Sequence, residues 1–363
     1  MTRWLLAGGG TAGHVNPLLA VADRLVLEGD SVQVLGTAEG LESRLVPERG
    51  YELLVIPRVP FPRRPNPAAL RFPSAVGGSI ARTGHYLAEH RIDGVIGFGG
   101  YAAAPAYLAA MARRLPFALH EQNAKPGMAN RLGARFTAAV GVTFTGTPLP
   151  HATVTGMPLR REIEVLDRAA LRDEARRFFD LDPQRPVLLV TGGSLGAVRL
   201  NTAAIANAEA VVSAGWQVLH LSGARHAPED PGVPGYRLLP YADRMDLALA
   251  AAELAVSRAG ASTVAELSAL GLPAVYVPYA VGNGEQRFNA AGVVAAGGAL
   301  LEPDAGFTPQ RFEQAVLPLL GDRARLAAMT AAAAGDGVRD GAARMTRLAR
   351  AGLQRGRRVP SGA

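Results

Sequence analysis

Two stretches of the chain repeat one pattern of apolar and glycine-rich segments. Residues 4–7 (WLLA) and 187–191 (VLLVT) are short apolar runs, and each precedes a glycine loop, an amphipathic segment and a second apolar run. Short apolar runs between glycine loops indicate strands buried on both faces, whereas apolar positions spaced three and four apart indicate a helix. Each half of the chain is therefore predicted to open with a strand, a glycine loop, a helix and another strand.

The sequence also marks the ends of the helices that follow the glycine loops. Asn16 is a favourable N-cap, Pro17 suits the first helical position, and Gly29 follows the last apolar position. We therefore predict a helix that begins after Asn16 and ends at Gly29. In the second half, we predict a loop over Gly192–Gly196 and a helix that continues to about Ala214.

Two units of this kind predict the α/β fold class, with two Rossmann-like doubly wound domains that face a cleft. The length of 363 residues suits two domains of common size. We predict an N-terminal domain over 1–160 and a C-terminal domain over 161–338. Residues 339–363 are predicted to form a basic helix that packs back on the first domain.

The composition indicates a folded protein and is compatible with a reducing compartment. Hydrophobic residues make up 48% of the chain, and the absence of cysteine excludes disulfides and thiolate chemistry. The first apolar run is too short for a signal peptide, which predicts a cytoplasmic protein. Two uncharged segments, Gly94–Ala112 and Leu267–Gly284, approach the length of a membrane span. Glycine or proline interrupts both, so we predict no transmembrane helix.

Arginine supplies almost all of the basic charge, since Lys125 is the single lysine in a chain of net charge +7. Such an excess suits an anionic substrate, an anionic membrane surface or nucleic acid, but no nucleic-acid-binding motif accompanies it. Between Pro57 and Arg91, arginines alternate with apolar residues. This pattern is typical of a peripheral membrane surface, and equally of a solvated loop before an ordinary amphipathic helix. The predicted membrane patch comprises Arg58, Phe61, Arg63, Arg64, Arg71, Phe72 and Arg82.

The first glycine loop fits the dinucleotide pattern G-x-G-x-x-G at Gly8, Gly10 and Gly13. A dinucleotide site also needs an acidic residue at the end of the second strand, where it binds the ribose. That strand ends instead at Gly36 and Thr37, so an NAD(P) oxidoreductase is a remote alternative. The glycines indicate instead a site that binds an anion, because they bring backbone N–H groups and a helix N-terminus close to a phosphate.

Six segments, in order, resemble the MurG family of UDP-N-acetylglucosamine glycosyltransferases. The resemblance extends from about Leu5 to Leu301. It rests on GGGTAGHVNPLLAVADRL, GFGGY, HEQNAKPGMANRLG, GGSLGAVRLN, SRAGASTVAELSALGLPAVYVP and GNGEQRFNA. It implies a GT-B fold and the inverting transfer of N-acetylglucosamine (GlcNAc) from UDP-GlcNAc to the MurNAc 4-hydroxyl of undecaprenyl-pyrophosphoryl-MurNAc-pentapeptide (lipid I), which yields lipid II for peptidoglycan.

The resemblance also implies a setting for the reaction. The N-terminal domain would bind the acceptor on the membrane side, and the C-terminal domain would bind UDP-GlcNAc, with no metal or other cofactor. The protein would lie peripherally on the anionic cytoplasmic side of the bacterial plasma membrane, and association with cell-division or elongation proteins is left open. A related GT-B enzyme, either an epimerase or a transferase to another acceptor, is the alternative function.

Residue by residue, the resemblance assigns a UDP-GlcNAc site. Glu266 would hold the ribose hydroxyls, Ser194 and neighbouring amides the diphosphate, and Asn123 and Gln286 the sugar. The full set is Thr11, Ala12, Gly13, Asn123, Arg160, Ser194, Ala242, Ala261, Ser262, Thr263, Val264, Ala265, Glu266 and Gln286. The chain departs from common family residues at Ala12, Met157 and Leu195, which puts the contacts of these positions in doubt.

Inverting transfer needs a general base for the acceptor hydroxyl. His14 is one candidate, because imidazole titrates near neutrality and a nearby helix N-terminus favours its neutral form. Glu121 is the rival candidate. The structural alternatives are that His14 only orients the turn or a phosphate, and that His120 and Glu121 form a satisfied pair at a strand end. Tyr101, His120 and Asn130 are predicted to line the cleft on the acceptor side.

Three motifs of the chain also have a structural interpretation that needs no ligand. Thr263-x-x-Glu266 fits a helix capping box. Gln286 and Asn289 fit the opening of a helix. The motif D-x-D that begins at Asp180 and ends at Asp182 precedes a proline turn, which predicts a helix end rather than a metal site.

Overall fold

The chain divides into two compact units, each with its own sheet. The computed structural model describes residues 1–60, 67–225, 228–279 and 284–358, and it describes side chains outside 67–71 and 356–358. The first unit is Met1–Arg160 together with the chain from Asp340 onward, and the second unit is Arg161–Arg339.

The first unit is built on a parallel sheet of seven strands. The strands are β1 (Arg3–Ala7), β2 (Ser31–Gly36), β3 (Glu52–Val55), β4 (Gly94–Gly97), β5 (Phe117–Glu121), β6 (Val140–Val142) and β7 (Ala152–Val154). Their order is β3-β2-β1-β4-β5-β6-β7, so the direction of winding reverses between β1 and β4. This is the doubly wound arrangement that the sequence predicts.

Helices pack on the sheet of the first unit. They are α1 (Ala12–Leu27), α2 (Glu42–Glu48), α3 (Pro67–Glu89), α4 (Gly100–Ala112), α5 (Met128–Gly133) and, from the end of the chain, α16 (Gly341–Arg358). Leu5 of β1 belongs to a buried cluster with Tyr107 of α4, whereas Trp4 belongs to a second cluster with Leu18 of α1 and Met345 of α16. Burial on both faces explains why β1 is apolar from Trp4 to Ala7.

Helix α1 begins earlier than the sequence predicts. Thr11 is the N-cap, with an extended backbone, and the Val15 N–H donates to the Thr11 carbonyl at 3.1 Å. Asn16 and Pro17 therefore lie inside the helix, and the prediction of Asn16 as N-cap is wrong. Proline fixes a helical φ wherever its missing N–H is tolerated, so it does not by itself mark the start of a helix. As a result, His14 lies in the first turn of α1.

The second unit is built on a parallel sheet of six strands. The strands are β8 (Val187–Thr191), β9 (Gln217–Leu221), β10 (Tyr236–Leu239), β11 (Leu254–Ser257), β12 (Ala274–Tyr276) and β13 (Ala299–Leu301). Their order is β10-β9-β8-β11-β12-β13, with the reversal between β8 and β11. The helices are α6 (Arg161–Glu164), α7 (Arg168–Phe178), α8 (Val198–Ala206), α9 (Ala208–Ser213), α10 (Met245–Ala251), α11 (Ala261–Ala269), α12 (Glu285–Asn289), α13 (Ala291–Ala295), α14 (Pro309–Gly321) and α15 (Arg323–Asp336).

The single helix predicted after the second glycine loop is divided into α8 and α9. Asn207 separates them, with φ of −107° and ψ of 11°. Its side-chain amide donates to the carbonyls of Ala203, at 2.8 Å, and Pro309, at 3.0 Å. An asparagine side chain that bonds to backbone groups competes with the helical pattern, which explains the interruption.

Neither uncharged segment forms a membrane-spanning helix. Gly94–Ala112 forms β4 and α4, and Leu267–Gly284 contributes the end of α11 and strand β12. Within the described ranges, every helix is too short or too polar to cross a membrane.

Candidate active site

Each sheet has one point where ligand binding is expected. In a doubly wound sheet, ligands bind outside the carboxyl ends of the strands, where the strand order reverses. The neighbouring strands at this point are β1 and β4 in the first unit, and β8 and β11 in the second. A glycine loop follows β1 and another follows β8, so each unit carries its own candidate site.

The first glycine loop, Gly8–Thr11, is packed against the turn that follows β4. Gly10 has a φ of +90°, and Gly100 at the start of α4 has a φ of +76°. A Cβ on Gly100 would overlap the Gly9 carbonyl oxygen. Backbone cannot yield as a flexible side chain can, so the close approach of these two turns requires glycine.

Glu42 of α2 bonds to the first glycine loop from the interior of the unit. The sequence analysis did not identify this residue. The residue is 0% exposed. Its Oε2 accepts a hydrogen bond from the Gly10 N–H at 2.7 Å, and its Oε1 accepts from the N–H and hydroxyl of Thr37 at 3.0 and 2.8 Å. Because both oxygens bond within the protein, Glu42 does not supply the ribose ligand of a dinucleotide site.

His14 lies beside this loop as a half-buried side chain. Its Nδ1 is 3.1 Å from the Thr11 hydroxyl, and a Cβ on Gly99 would lie 3.1 Å from its Nε2. Burial lowers the pKa of His14 below 6.5, although a hydrogen bond with the Gly9 backbone and the charge of Glu42 oppose the shift. The imidazole is therefore neutral at pH 7 and can accept a proton.

Glu121, at the end of β5, lies inside the first unit with 2% of its surface exposed. It accepts hydrogen bonds from the N–H groups of Asn123 and Gly127, both at 3.0 Å, and from the Asn130 side-chain amide at 2.9 Å. Burial raises the pKa of Glu121, and these hydrogen bonds oppose the shift. The geometry favours a satisfied strand-end carboxyl over a general base in contact with an acceptor.

His120 is also enclosed, with 0% exposure. Its Nε2 lies 2.9 Å from the Gly156 carbonyl, to which it donates, and its Nδ1 lies 3.2 Å from the side-chain amide of Gln122. Burial lowers the pKa of His120 to about 4, so the ring is neutral. The prediction that His120 lines a cleft is wrong, because the ring has no exposed surface.

The two other residues predicted on the acceptor side differ from each other. Asn130 is buried, accepts a hydrogen bond from the Tyr107 hydroxyl at 2.7 Å, and donates to Glu121, so it too lies in the interior, contrary to the prediction. Tyr101, in the first turn of α4, is 37% exposed, and its hydroxyl accepts from the Arg58 guanidinium at 3.3 Å. Of these residues, Tyr101 alone remains available to a ligand.

The second glycine loop, Gly192–Gly196, follows β8 and leads into α8. Gly193 and Gly196 have φ angles of +82° and +80°. Ser194 is exposed at the tip, and its carbonyl accepts from the Ala224 N–H at 3.0 Å. The first-turn N–H groups of α8 have no intrahelical acceptor, so this loop presents amides and a helix N-terminus suited to an anion.

Helix α11 begins at the neighbouring strand end, after β11. Gly260 is its N-cap, and the Val264 N–H donates to the Gly260 carbonyl at 2.9 Å. Thr263 is therefore the third residue of the helix, and the capping-box interpretation of Thr263 and Glu266 is wrong. Glu266 is half-buried and lies one turn further along.

Arg258, also after β11, belongs to a segment that the sequence analysis singled out, but the sequence assigned it no role. Its guanidinium bonds to the carboxylate of Asp304 and to the Val277 carbonyl, and it lies 5.4 Å from the centroid of the Tyr279 ring. The Gln286 side-chain oxygen accepts from the Tyr279 N–H at 2.8 Å. These bonds connect the ends of β11 and β12 with the start of α12.

Comparison with known proteins decides the family. Residues 4–142 match the N-terminal domain of glycosyltransferase family 28, and residues 187–345 match its C-terminal domain. A UDP-N-acetylglucosamine--N-acetylmuramyl-(pentapeptide) pyrophosphoryl-undecaprenol N-acetylglucosamine transferase of Leifsonia xyli subsp. xyli is 61% identical over 97% of this chain and 99% of its own length. The protein of the same name from Clavibacter michiganensis subsp. michiganensis is 60% identical over 96% of each chain.

A solved structure agrees with these relatives. The crystal structure of Acinetobacter baumannii MurG is 26% identical, covers 97% of this chain and 100% of its own, and has a TM-score of 0.77. The chain belongs to the MurG family. The two Rossmann-like parallel sheets expected of a MurG glycosyltransferase are present, which confirms the predicted fold class.

The positions that the MurG resemblance assigns to UDP-GlcNAc are divided between the units. Ser194 and Ala261–Glu266 follow the neighbouring strands β8 and β11, so the second unit brings them together. Ala242 is buried, and Arg160 is half-buried at the end of the first stretch of the first unit. The first unit carries Thr11, Ala12, Gly13, Asn123 and Arg160, and the second carries Ser194, Ala242, Ala261–Glu266 and Gln286.

The three departures from common MurG residues lie in different surroundings. Ala12 is the first residue of α1, and Leu195 is 54% exposed beside Ser194. Met157 is buried, with its sulfur 3.9 Å from the Thr143 hydroxyl. Met157 therefore packs in the interior, whereas Leu195 adds an exposed apolar side chain to the tip of the second glycine loop.

The D-x-D motif lies between α7 and β8, before the strand whose carboxyl end carries the second glycine loop. Asp180 follows α7 with a φ of +56°, and its carboxylate is 3.0 Å from the Arg237 guanidinium. The Asp182 carboxylate accepts from the Gln184 N–H at 2.8 Å. The prediction of a helix end agrees with this geometry.

The predicted membrane patch is described only in part. Arg82 lies exposed on α3, where its Nε donates to the Tyr86 hydroxyl at 2.9 Å, and Phe72 is half-buried. Ser79, Thr83 and Leu87 line the buried face of the same helix. Phe61, Arg63 and Arg64 lie outside the described residues, as does the side chain of Arg71.

Proposed function

We propose that this chain transfers GlcNAc from UDP-GlcNAc to the MurNAc 4-hydroxyl of lipid I and so forms lipid II. The observation that carries this proposal is the 61% identity to a transferase of that name over 97% of the chain. The two family 28 domain matches include both glycine loops. Because the glycine loops are at the reversal points of two sheets, each unit has a place for one of the two substrates.

The nucleotide part of the donor binds to the second unit in this account. The amides of the second glycine loop, the Ser194 hydroxyl and the N-terminus of α8 hold the diphosphate, and Glu266 accepts the hydroxyl hydrogens of the ribose. Ala242 meets uracil through its backbone, and Gln286 bonds to the sugar. Fixed amides and a helix N-terminus stabilise the charge that develops on the leaving UDP, so the chain itself supplies the stabilisation for which other transferases use a metal.

His14 of the first unit is the general base. Its neutral imidazole removes the proton from the acceptor 4-hydroxyl while that oxygen forms a bond to the anomeric carbon of GlcNAc. The bond from this carbon to the β-phosphate oxygen breaks, and its electron pair leaves with UDP. Attack from the face opposite the leaving group inverts the anomeric configuration. We prefer His14 to Glu121 because Glu121 already accepts three hydrogen bonds in the interior.

The lipid acceptor brings the first unit to the anionic cytoplasmic surface of the membrane. Arg58 and Arg82 belong to the basic and apolar segment that precedes and includes α3. Arginines among apolar side chains bind such a surface through lipid charge and shallow insertion. Charge reversal in Arg82→Glu should reduce sedimentation with anionic vesicles at low salt, whereas equal sedimentation of the variant and the parent protein would remove α3 from this surface.

The reaction itself is tested by incubating the purified chain with labelled UDP-GlcNAc and a lipid I analogue. A labelled disaccharide lipid together with UDP, formed only when both substrates are present, is the expected result. UDP release without a labelled lipid product would contradict the proposal and favour an epimerase, a hydrolase or another acceptor.

A further inference from the structure

The second glycine loop is backed by a line of buried polar side chains that the reaction described above does not use. Asn201 of α8, His220 of β9 and Tyr236 of β10 are 3%, 0% and 7% exposed. The Asn201 side-chain amide donates to the Ser222 carbonyl at 3.0 Å, and its oxygen lies 3.1 Å from His220 Nε2. His220 Nδ1 lies 2.7 Å from the Tyr236 hydroxyl. Three elements are thus joined by consecutive hydrogen bonds.

The hydrogen bonds of this line can run in one direction only. A carbonyl is only an acceptor, so Asn201 must turn its NH2 toward Ser222 and its oxygen toward His220. The Asn201 oxygen then requires a proton on His220 Nε2. Burial lowers the pKa of His220 to about 4, which keeps the ring neutral, so Nδ1 is an acceptor and the Tyr236 hydroxyl donates to it. His220 is accordingly the Nε2–H tautomer.

The line ends on the turn that contacts the second glycine loop. Gly223 follows Ser222 with a φ of +90°, and a Cβ on Gly223 would overlap the Gly196 nitrogen. The next residue along, Ala224, donates its N–H to the Ser194 carbonyl at 3.0 Å. The position of the Ser222 carbonyl therefore determines the backbone surface on which Ser194 and Gly196 rest.

We propose that Tyr236, His220 and Asn201 are positioning residues that set the second glycine loop for the donor diphosphate. This inference rests on the proposed function only for the identity of the ligand. Since every member of the line is neutral, it fixes the loop without placing a negative charge behind a phosphate site. The line acts through the turn at Ser222 and does not touch the donor.

The test compares two asparagines of the second unit that both donate to a backbone carbonyl. Asn201→Asp replaces the donor opposite the Ser222 carbonyl by an acceptor, with almost no change of shape. Asn207→Asp does the same opposite the Ala203 carbonyl, away from the loop. We expect Asn201→Asp to weaken UDP binding in calorimetry about tenfold and to raise the KM for UDP-GlcNAc similarly, with kcat within about twofold. Asn207→Asp should bind UDP as the parent protein does.

A milder variant and a ligand-free measurement cover the case in which Asn201→Asp fails to fold. Tyr236→Phe removes one hydroxyl and should weaken UDP binding about threefold. Nitrogen NMR spectra of the labelled parent protein, with the ring signals assigned through His220→Gln, should show His220 as the Nε2–H tautomer at pH 7.

Each result decides the inference. An Nδ1–H tautomer for His220, or equal UDP affinities for the asparagine variants and the parent protein, would overturn it. A parent protein that binds UDP with the expected tautomer, but makes no disaccharide lipid, would instead overturn the proposed function and leave the positioning line intact.

Discussion

The two glycine loops occupy equivalent places in their sheets but are held by opposite kinds of chemistry. In the first unit, a buried carboxylate, Glu42, joins the Gly10 amide to Thr37 at the end of β2. In the second unit, the equivalent strand is β9, and the carbonyl of the residue after it, Ser222, accepts from the neutral Asn201, which His220 holds in turn. In each unit, the end of the second strand supports the glycine loop. A charged side chain makes the connection in the first unit, and neutral side chains make it in the second.

This difference bears on which loop receives the donor. Glu42 occupies one amide of the first glycine loop and puts a negative charge behind it, which disfavours a second anion nearby. Two N–H groups of the second loop also bond within the protein, Gly193 to the Thr191 hydroxyl and Gly196 to the Gly193 carbonyl. The side chains that support this loop are neutral, however, so they place no negative charge behind the α8 N-terminus. We infer that the second loop is suited to the diphosphate of UDP-GlcNAc and that the first is suited to holding His14.

The largest effect should come from the first unit. Replacing His14 by Ala removes the proposed general base. General base catalysis contributes about 10²- to 10⁴-fold, so kcat should fall by that factor. The KM for UDP-GlcNAc should change far less. Steady-state kinetics with lipid I analogue separates the two parameters, and a parent-like kcat would remove His14 from catalysis.

A neutral residue in place of Glu42, which supports the first glycine loop with a carboxylate, should lower the stability of the protein. In Glu42→Gln, the new amide oxygen can accept either from the Gly10 N–H or from the two Thr37 groups. The amide NH2 then faces the remaining donor, which is left buried and unpaired. We expect the free energy of unfolding to fall by about 2 to 3 kcal/mol in urea denaturation. Glu48→Gln, on the exposed side of the same helix α2, is the matched control and should change it by less than about 0.5 kcal/mol. Equal stabilities of the two variants would contradict the role of Glu42.

A pH titration should affect both units, because the described part of each contains a histidine that is fully buried and neutral. The pKa of His120 and that of His220 are about 4 in the folded protein, against an ordinary value of 6.5. Below pH 6.5 the unfolded chain binds protons that the folded chain does not, so stability falls as the pH falls from 6.5 toward 4. Between pH 7 and pH 5 the loss should be about 2 kcal/mol for each histidine.

Urea denaturation at several pH values checks this expectation. His120→Gln should be less stable overall, but it should show a smaller loss between pH 7 and pH 5 than the parent protein. If the parent protein has the same stability at both pH values, the neutral burial of these histidines is wrong.

The smallest effect should come from the donor side. Glu266→Ala removes the proposed hydrogen bonds to the ribose and should raise the KM for UDP-GlcNAc about tenfold, with little change in kcat. Glu313→Ala, on the exposed surface of α14, is the control and should match the parent protein. A fall in kcat without a change in KM would place Glu266 in the transfer step instead.

The layout of the sheets could be predicted from the sequence because strand and glycine signals are local. Strand β8 has the predicted bounds, Val187–Thr191, and Gly29 follows α1 with a φ of +86°. The start of α1 could not be read in this way, since Pro17 is compatible with several helix positions. Asn207 divided a predicted helix for a similar reason, because its side chain bonds across to Pro309, which is distant in sequence.

The interior of the candidate site was harder to predict than its surface. Motif positions showed that His120 and Glu121 end a strand, but not that the strand end is covered by Asn123, Gly127 and Asn130. Glu42 lies beyond the end of β2, and nothing in its neighbours shows that its carboxylate turns back to the Gly10 amide. Burial and long-range hydrogen bonds depend on tertiary packing, and a single sequence does not display them.

Our central claim is that the second glycine loop binds the nucleotide and that the first positions His14. UDP tests this claim, because it lacks the sugar and therefore probes the nucleotide site alone. The measurement is the UDP affinity of His14→Ala by titration calorimetry, beside that of the parent protein. Our account predicts equal affinities, because the nucleotide binds to the second unit. A loss of UDP binding of tenfold or more would contradict it and place the nucleotide at the first glycine loop.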